Sequence, residues 1–466
     1  MIMENEKDFK TLEQEFLKKS LEYGREMFVE FLRQKDEELS RNRDRKQFRS
    51  KGKRTKTICT VLGDITFERR CYKTEDRGLV FLLDDYLGLE KRQCASPMLC
   101  EHIANLICTS TYRTTAEEIS NLTGTFISHG TVWNAVQEMG GKANDIELAD
   151  AAKAKNKKGT GDIVTKVLFE EQDGVYLSLQ GKDRKKHGSD KEMKVAISYD
   201  GWQELSRNRF KLTNKTAVAS FEKIDDFYFR KEGAIAAQYN VDEIQLRVLN
   251  GDGAEWIKKS ITDDDVIYQL DPFHRNKAIL ELVNDSDVRK QMMKLLYDKD
   301  IDTLLAYIDA MANSIEDEEQ IEKYRRLFTY FSNNKEALIS YKRRDIEIPE
   351  APEGKTYRQL GTMESNVFSL IGCRMKRGRM SWSIKGGENL AKLLTLKSTD
   401  RLDSKIEFLA SAVESQKIEK AEDVIFSAYR TPERVGKGYN GIPTSRIPDL
   451  PFVKPILEMK PLFGIK

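Results

Sequence analysis

Apolar residues recur at three-to-four spacing along the first forty positions. Phe9, Leu12, Phe16, Leu17, Leu21, Met27, Phe28, Phe31 and Leu32 alternate with charged residues, and no proline interrupts them. The period predicts one amphipathic helix from about Phe9 to Leu39. Its stripe is expected to pack on its own domain, with dimerisation as the other option. The pattern then switches to a period of two. Thr57–Leu62 and Ile65–Tyr72 flank Gly63-Asp64 and predict a β-hairpin turning at that pair.

Helical periodicity returns at Tyr112. Ala116, Ile119 and Leu122 are expected inward on a short helix that ends at Gly124. Val132, Trp133 and Val136 are expected inward on a second, which begins near Ser128. This helix-turn-helix spacing leaves Ser128, His129, Thr131 and Asn134 free to meet DNA. The segment 143–162, rich in Ala, Lys, Asp and Asn, reads as a helical linker.

From Ile163 the texture is that of strands: Val167–Leu179, Lys194–Tyr199, Phe210–Ser220, Gln245–Leu249 and Val266–Leu270. The last two lead into helices, so the expected fold is an α/β core, a mixed sheet with helices on its faces. Residues from about 280 to 345 show only helical spacing and predict an all-helical insertion. Most of the ten prolines lie near the end, which predicts a helix after 401 and then an extended, proline-rich tail to 466. The domain reading is therefore 1–50, 51–142, the linker 143–162, a core 163–400 and the tail 401–466.

Charge adds a second layer. Lys plus Arg is 78 and Asp plus Glu is 76, a net charge of +2, which excludes both an acidic tail protein and a histone-like polycation. What matters is where charge sits. Arg41, Arg43, Arg45, Lys46, Arg49, Lys51, Lys53, Arg54 and Lys56 stand against the single acid Asp44 and suit a phosphate-contacting segment. No apolar run approaches the ~18 residues of a membrane span, and no secretory signal opens the chain, so a cytoplasmic, reduced location is expected. Six cysteines in so long a chain do not suggest a disulfide framework. Cys94, Cys100 and His102 lack the paired spacing of a zinc site.

Three acids carry the candidate chemistry. Asp173 lies inside the first strand pattern, Asp252 sits in Gly251-Asp-Gly at a strand end, and Glu364 precedes Arg374, Lys376, Arg377 and Arg379. Separated carboxylates on a sheet and a helix, with cations able to grip phosphate nearby, are what two-metal phosphoryl transfer requires. Asp200 could replace Asp173, and Glu388 could replace Glu364.

The order of motifs resembles the DDE transposases of bacterial insertion sequences, specifically the ISLre-type family, distant kin of the Mutator superfamily. The residues carrying the resemblance are Asp173-Gly, Gly251-Asp-Gly, Asp271-Pro-Phe-His274, Met363-Glu-Ser-Asn366 and Ser128-His-Gly-Thr-Val-Trp133, over roughly residues 50–400. The family shows Cys or Asp, two residues, then His between its second Asp and its Glu, as Asp271 and His274 do. The resemblance implies an RNase H-like catalytic domain with a helical insertion, behind an α-rich N-terminal DNA-binding region of hairpin and helix-turn-helix. It implies Asp173, Asp252 and Glu364 as catalytic carboxylates holding two Mg²⁺ or Mn²⁺ ions, with Asp271, His274 and Asn366 supporting. Arg275 and Lys277 are expected on DNA backbone. The implied partners are double-stranded DNA, as element ends and target, and further copies of the chain in the DNA complex. The alternatives are a non-catalytic helix-turn-helix regulator derived from a transposase, and a metal-dependent nuclease without strand transfer.

Overall fold

The computed structural model describes residues 8–90, 93–156, 161–261 and 266–410. The described residues divide into two units, one of residues up to 145 together with 392–410 and the other of 146–391. The proline-rich tail beyond 410 lies outside the described residues.

In the first unit, α1 (Phe9–Asn42) starts at Asp8, whose carboxylate caps the amide of Thr11. Only the second half of its stripe packs inward: Leu32 is buried, with Val29 and Leu39 beside it, against Ile58, Ile65, Phe67 and Leu83. Phe9, Phe16, Tyr23 and Met27 face solvent, so the expected packing of the whole stripe on its own domain holds for only half of it. Buried Asp36 ties α1 to the hairpin by accepting from the backbone N–H and the guanidinium of Arg70.

The hairpin is longer than the sequence pattern implies. Strand β1 (Arg49–Thr60) pairs antiparallel with β2 (Gly63–Lys73), and β3 (Leu79–Val80) adds an edge. The turn falls at Val61-Leu62, and Gly63-Asp64 already belong to β2. Gly63 has φ +108, and a Cβ there would lie 2.7 Å from the Arg25 guanidinium, which donates to the Leu62 carbonyl. The backbone conformation requires glycine. Three helices follow, α2 (Leu82–Leu87), α3 (Pro97–Ile107) and α4 (Tyr112–Thr123), the last ending at Gly124 in the left-handed region. Helix α5 (His129–Lys155) is capped by the Ser128 hydroxyl, which accepts from the Thr131 amide. The described C-terminal helix, Leu402–Ala410, belongs to this unit too.

Two inward assignments on α4 and α5 are corrected. Ala116, Ile119, Val132 and Val136 are buried, but Leu122 and Trp133 are 72% and 46% exposed. Thr115, Ala135 and Met139 take the inward places, because the buried arc lies one position from the assumed one. The alanine-rich stretch read as a linker continues α5 to Lys155, with Ala151, Ala152 and Ala154 buried.

The second unit is built on a five-stranded mixed sheet. Its strands are β4 (Val167–Ser178), β5 (Asp190–Tyr199), β8 (Thr216–Ser220), β9 (Leu246–Gly251) and β10 (Val266–Leu270), in the order β10-β9-β4-β5-β8. Parallel pairs β10–β9 and β9–β4 adjoin antiparallel pairs β4–β5 and β5–β8. A separate hairpin joins β6 (Trp202–Ser206) to β7 (Arg209–Leu212). The expected single strand Phe210–Ser220 is therefore two, β7 and β8, broken at Thr213–Lys215. Asn214 there takes φ +52, and its carbonyl accepts from both Gln238 and Tyr239.

Helix α6 (Gly181–His187) joins β4 to β5 and α7 (Ile224–Ala236) follows β8, with α8 (Glu255–Lys258) after β9 and α9 (Pro272–Leu282) after β10. Helices α10 (Ser286–Asp298), α11 (Ile301–Asn313) and α12 (Glu318–Ser332) form the all-helical segment expected there. Their core of Met292, Leu304, Ile308, Leu327 and Phe331 reaches Leu270 and Ile279. Helix α13 (Met363–Val367), a π-helical turn at Phe368–Gly372, α14 (Cys373–Met375) and α15 (Ile384–Ser398) come after them in the chain.

Candidate functional site

The parallel strands bring three acids abreast. Glu171 pairs with Asn250 across β4–β9, and Leu270 pairs with Gly251 across β9–β10. Continued past the strand ends, this register sets Asp173, Asp252 and Asp271 side by side. The carboxyl ends of parallel strands are where open α/β sheets place ligands. Gly251 and Gly253 are required around Asp252: a Cβ on Gly251 would lie 2.8 Å from Ile257, and Gly253 takes φ +94 against Tyr330. A Cβ on Gly174 would lie 2.1 Å from the Glu192 carboxylate, so a larger residue after Asp173 would push that side chain aside.

Asp173, His274 and Glu364 each offer one ligand atom, and these atoms lie within 4.8 Å of one another. His274 comes from the first turn of α9, where its Nε2 stands 3.6 Å from Asp173 Oδ2, an ion-pair separation. Glu364 comes from α13. The Asp252 carboxylate accepts from the Ala254 amide at 2.8 Å, and burial followed by the neighbouring Asp173 raises it above the ordinary aspartate value. Asp271 is raised chiefly by burial. Its Oδ1 accepts from the Phe273 amide at 2.8 Å and its Oδ2 from Asn250 at 3.1 Å. Asp271 thus caps α9 and aims His274. The Asp173 carboxylate raises the His274 imidazole above the usual histidine value. Glu192, on β5, is a further acid in this field, raised mainly by burial and also by Asp252 and Asp173. Clustered acids with one imidazole form an O/N donor set suited to Mg²⁺ or Mn²⁺.

The remaining sequence-selected residues separate into groups. Asn366 donates to the Thr362 carbonyl at 2.9 Å and accepts from Lys215, so it braces α13. Asp200 is buried and bound to Thr213, Asn214 and Lys355, an anchor for the β7–β8 turn. Glu388 is buried and accepts from the Phe221 amide. Neither Asp200 nor Glu388 belongs to the donor cluster of Asp173, His274 and Glu364; Asp252 and Asp271 also stand outside that trio, beside it at the strand ends. Cys100 is buried in α3, whereas His102 is exposed.

Among the cations, Arg41, Arg45, Lys46, Arg49, Lys51, Lys53 and Arg54 are exposed, as are His129 and Asn134, while Ser128 and Thr131 are half-buried and bond to each other. Lys56, Arg43 and Arg374 are drawn into contacts within the protein. Lys56 is buried, donates to the Glu90 carbonyl at 2.7 Å and stands 3.7 Å from Asp84, because the alternation of β1 turns it inward. Arg43 is half-buried, donating to the Ser40 carbonyl and lying over the Tyr72 ring. Arg374 is 4% exposed and stacks over Trp382, while Lys376, Arg377 and Arg379 are exposed. Arg275 is half-buried and donates to the Leu338 carbonyl, whereas Lys277 is exposed.

Sequence reasoning passed over a basic helix. Lys182, Arg184, Lys185 and Lys186 of α6 are exposed. The chain entering α6 meets the chain after Arg379: the Gln180 amide donates to the Trp382 carbonyl at 2.9 Å and the Ile384 amide to Asp183 at 2.7 Å. The signal was the run Lys182–His187 between two strand patterns. Glu171, buried on β4, was missed as well.

Comparisons place the chain among relatives. The description Uncharacterised protein family (UPF0236) matches residues 2–409. A UPF0236 protein in the vanSb 3′ region of Streptococcus gallolyticus is 24% identical over 348 residues, 73% of this chain and 72% of that protein. One from Caldanaerobacter subterraneus subsp. tengcongensis, whose name joins several locus designations, is 26% identical over 345 residues, 72% of this chain and 66% of that protein. Among solved structures, the Drosophila P element transposase strand transfer complex is similar at 10% identity with a TM-score of 0.20, covering 78% of this chain and 92% of that one. No helix among the described residues is long and apolar enough to cross a membrane. With the family description spanning nearly all of the described residues, this chain belongs to the UPF0236 family.

Proposed function

We propose that the chain is a DNA transposase, binding element ends through its first unit and performing metal-dependent strand cleavage and strand transfer in the second. The observation that carries the reading is the meeting of Asp173, His274 and Glu364 within 4.8 Å, with Asp252 abreast of Asp173 at the strand ends. Strand order and the position of the acids fit an RNase H-like core, and α4 and α5 fit a helix-turn-helix with His129 and Asn134 outward. The several locus designations of the Caldanaerobacter relative are what a mobile element leaves in a genome.

Asp173, Asp252 and Glu364 would hold the divalent ions, with His274 within reach of the same cluster. Divalent ions bound there supply Lewis-acid stabilisation to the attacking and leaving oxygens of an in-line displacement at phosphorus. Cleavage uses water and leaves a 3′-hydroxyl; joining uses that hydroxyl as nucleophile, so one site serves both steps. The exposed Lys182–Lys186 face and the Lys376–Arg379 turn offer cations to the phosphate backbone.

Supercoiled donor DNA carrying the element's ends, incubated with Mg²⁺ or Mn²⁺, tests the reading. Wild type should cleave and join, while Asp173→Asn, Asp252→Asn and Glu364→Gln should each lose both steps and keep binding to the ends. Cleavage that persists in Asp252→Asn defeats the mechanism. A wild type that binds but never cleaves favours the regulator, and cleavage without joining favours the nuclease. Changing Arg49, Lys51, Lys53 and Arg54 to Ala should weaken binding to all sequences alike. It should also flatten the salt dependence by about one unit of slope per lost phosphate contact.

A further inference from the structure

Beneath the row of acids runs a second, uncharged-to-acidic row on the same sheet face. Two residues before Asp173, Asp252 and Asp271 stand Glu171, Asn250 and Gln269, all at most 1% exposed. They are bonded across the strands: Asn250 donates to Glu171 at 3.0 Å, and Gln269 donates to Asn250 at 3.3 Å. Glu171 has no cation beside it among its hydrogen-bond partners. Its Oε1 accepts from the Tyr199 hydroxyl at 2.6 Å and from the Thr362 hydroxyl. Its Oε2 accepts from three successive backbone amides, Gly361 at 3.1 Å, Thr362 at 3.0 Å and Met363 at 3.2 Å. Gly361 takes φ +127, which lets the chain fold these amides around one oxygen.

A buried carboxylate is costly unless its lone pairs are satisfied. Here four of its six donors among the described residues belong to the segment that delivers Glu364, the residue after Met363, and Tyr199 and Asn250 supply the other two. We propose that Glu171 is a positioning residue, which clamps Gly361–Met363 to β4 and so sets Glu364 against Asp173. This inference rests on the metal-site reading above and deepens it. Glu171 touches neither metal nor substrate in this role. It orients a ligand through the backbone, as outer partners of metal ligands do. The Asn250 link extends the same clamp to Asp271, which aims His274.

The test is a Mn²⁺ titration of the full chain, reading free Mn²⁺ by its electron paramagnetic resonance signal, with thermal unfolding alongside. Glu171→Gln removes the negative charge and leaves one accepting oxygen where two serve the donors of Tyr199, Asn250 and Gly361–Met363, and should weaken Mn²⁺ binding about tenfold or more. Thr362→Val removes one donor and should weaken it by a smaller factor. Glu170→Gln, on the opposite face of the same strand, is the control: it should lower the melting temperature and keep wild-type Mn²⁺ affinity. Unchanged affinity in a folded Glu171→Gln overturns the proposal. If that variant does not fold, unchanged affinity in Thr362→Val overturns it instead. Equal loss in Glu170→Gln makes the effect general loosening and also overturns it. A wild type that binds no Mn²⁺ removes the metal-site reading itself, and the clamp's role with it.

Discussion

Glu170 and Glu171 are neighbours on one strand, both fully buried, and the two faces of the sheet treat them in opposite ways. On the Glu170 side, Lys231 of α7 and Arg247 of β9 each approach within 2.6 Å, and Glu232 joins the network. Burial pushes Glu170 up, but the two cations outweigh it and hold the carboxyl below the usual glutamate range. On the Glu171 side no cation among the described residues bonds to the carboxylate, and burial leaves it above that range despite its hydrogen bonds. Further along this second face come Asp173, Asp252 and Asp271, with His274 and Glu364 closing in. One face pairs its charges within the protein and is finished. The other gathers acids that an external cation would complete. Pairing, more than burial, separates a structural charge from a functional one.

Breaking the finished face should have the largest effect. Arg247→Met leaves Glu170 and Glu232 short of a partner in a buried setting and should cost about 3–5 kcal/mol, read by urea unfolding. A loss below ~1 kcal/mol would mean that face is not held by its ion pairs.

Asp226 offers a case between the two faces. It is 4% exposed, neither carboxylate oxygen has a hydrogen-bond partner among the described residues, and burial followed by the charge of Glu222 pushes it up to about 7. The folded value lies above the unfolded one, so the native state binds more protons between them. Stability should therefore fall as pH rises from about 4 to about 7 and level off above, and Asp226→Asn should remove that slope. The gain at pH 8 should be on the order of 2–4 kcal/mol, since one pKa unit corresponds to about 1.4 kcal/mol. Parallel stability–pH curves for the two proteins would refute this.

The smallest effect is expected on the unfinished face. Asp173→Asn removes one of several like charges and should leave metal-free stability unchanged or raise it by up to about 1 kcal/mol, although it is expected to abolish activity. A large destabilisation would place Asp173 with Glu170, as a structural charge.

Much of this was legible in order along the chain. β-rich runs marked the β1–β2 hairpin and strands β4, β5, β9 and β10, and helical spacing marked α1 and α10–α12. Gly-Asp-Gly after a strand pointed to Asp252, because only glycine permits the approaches of Ile257 and Tyr330. Periodicity was less sure about direction. Leu122 and Trp133 fit an inward stripe yet face solvent, since a helical arc one position away satisfies nearly the same spacing, and Lys56 fits a basic surface yet is buried, because strand alternation turns it inward. The break at Asn214 was hidden because its cause is Asp200 and Tyr239, remote in sequence.

The sequence by itself determined the elements and the acids at their ends, because helix and strand periodicity, capping and glycine conformation are local properties. Only the tertiary structure decided which acids are paired. Glu170 and Glu171 read alike as letters, but one meets Arg247 and the other meets Gly361, 190 residues away. Sheet register and helix packing bring those partners in, and electrostatic environment follows from partners. Charge identity is written locally; charge compensation is a long-range contact.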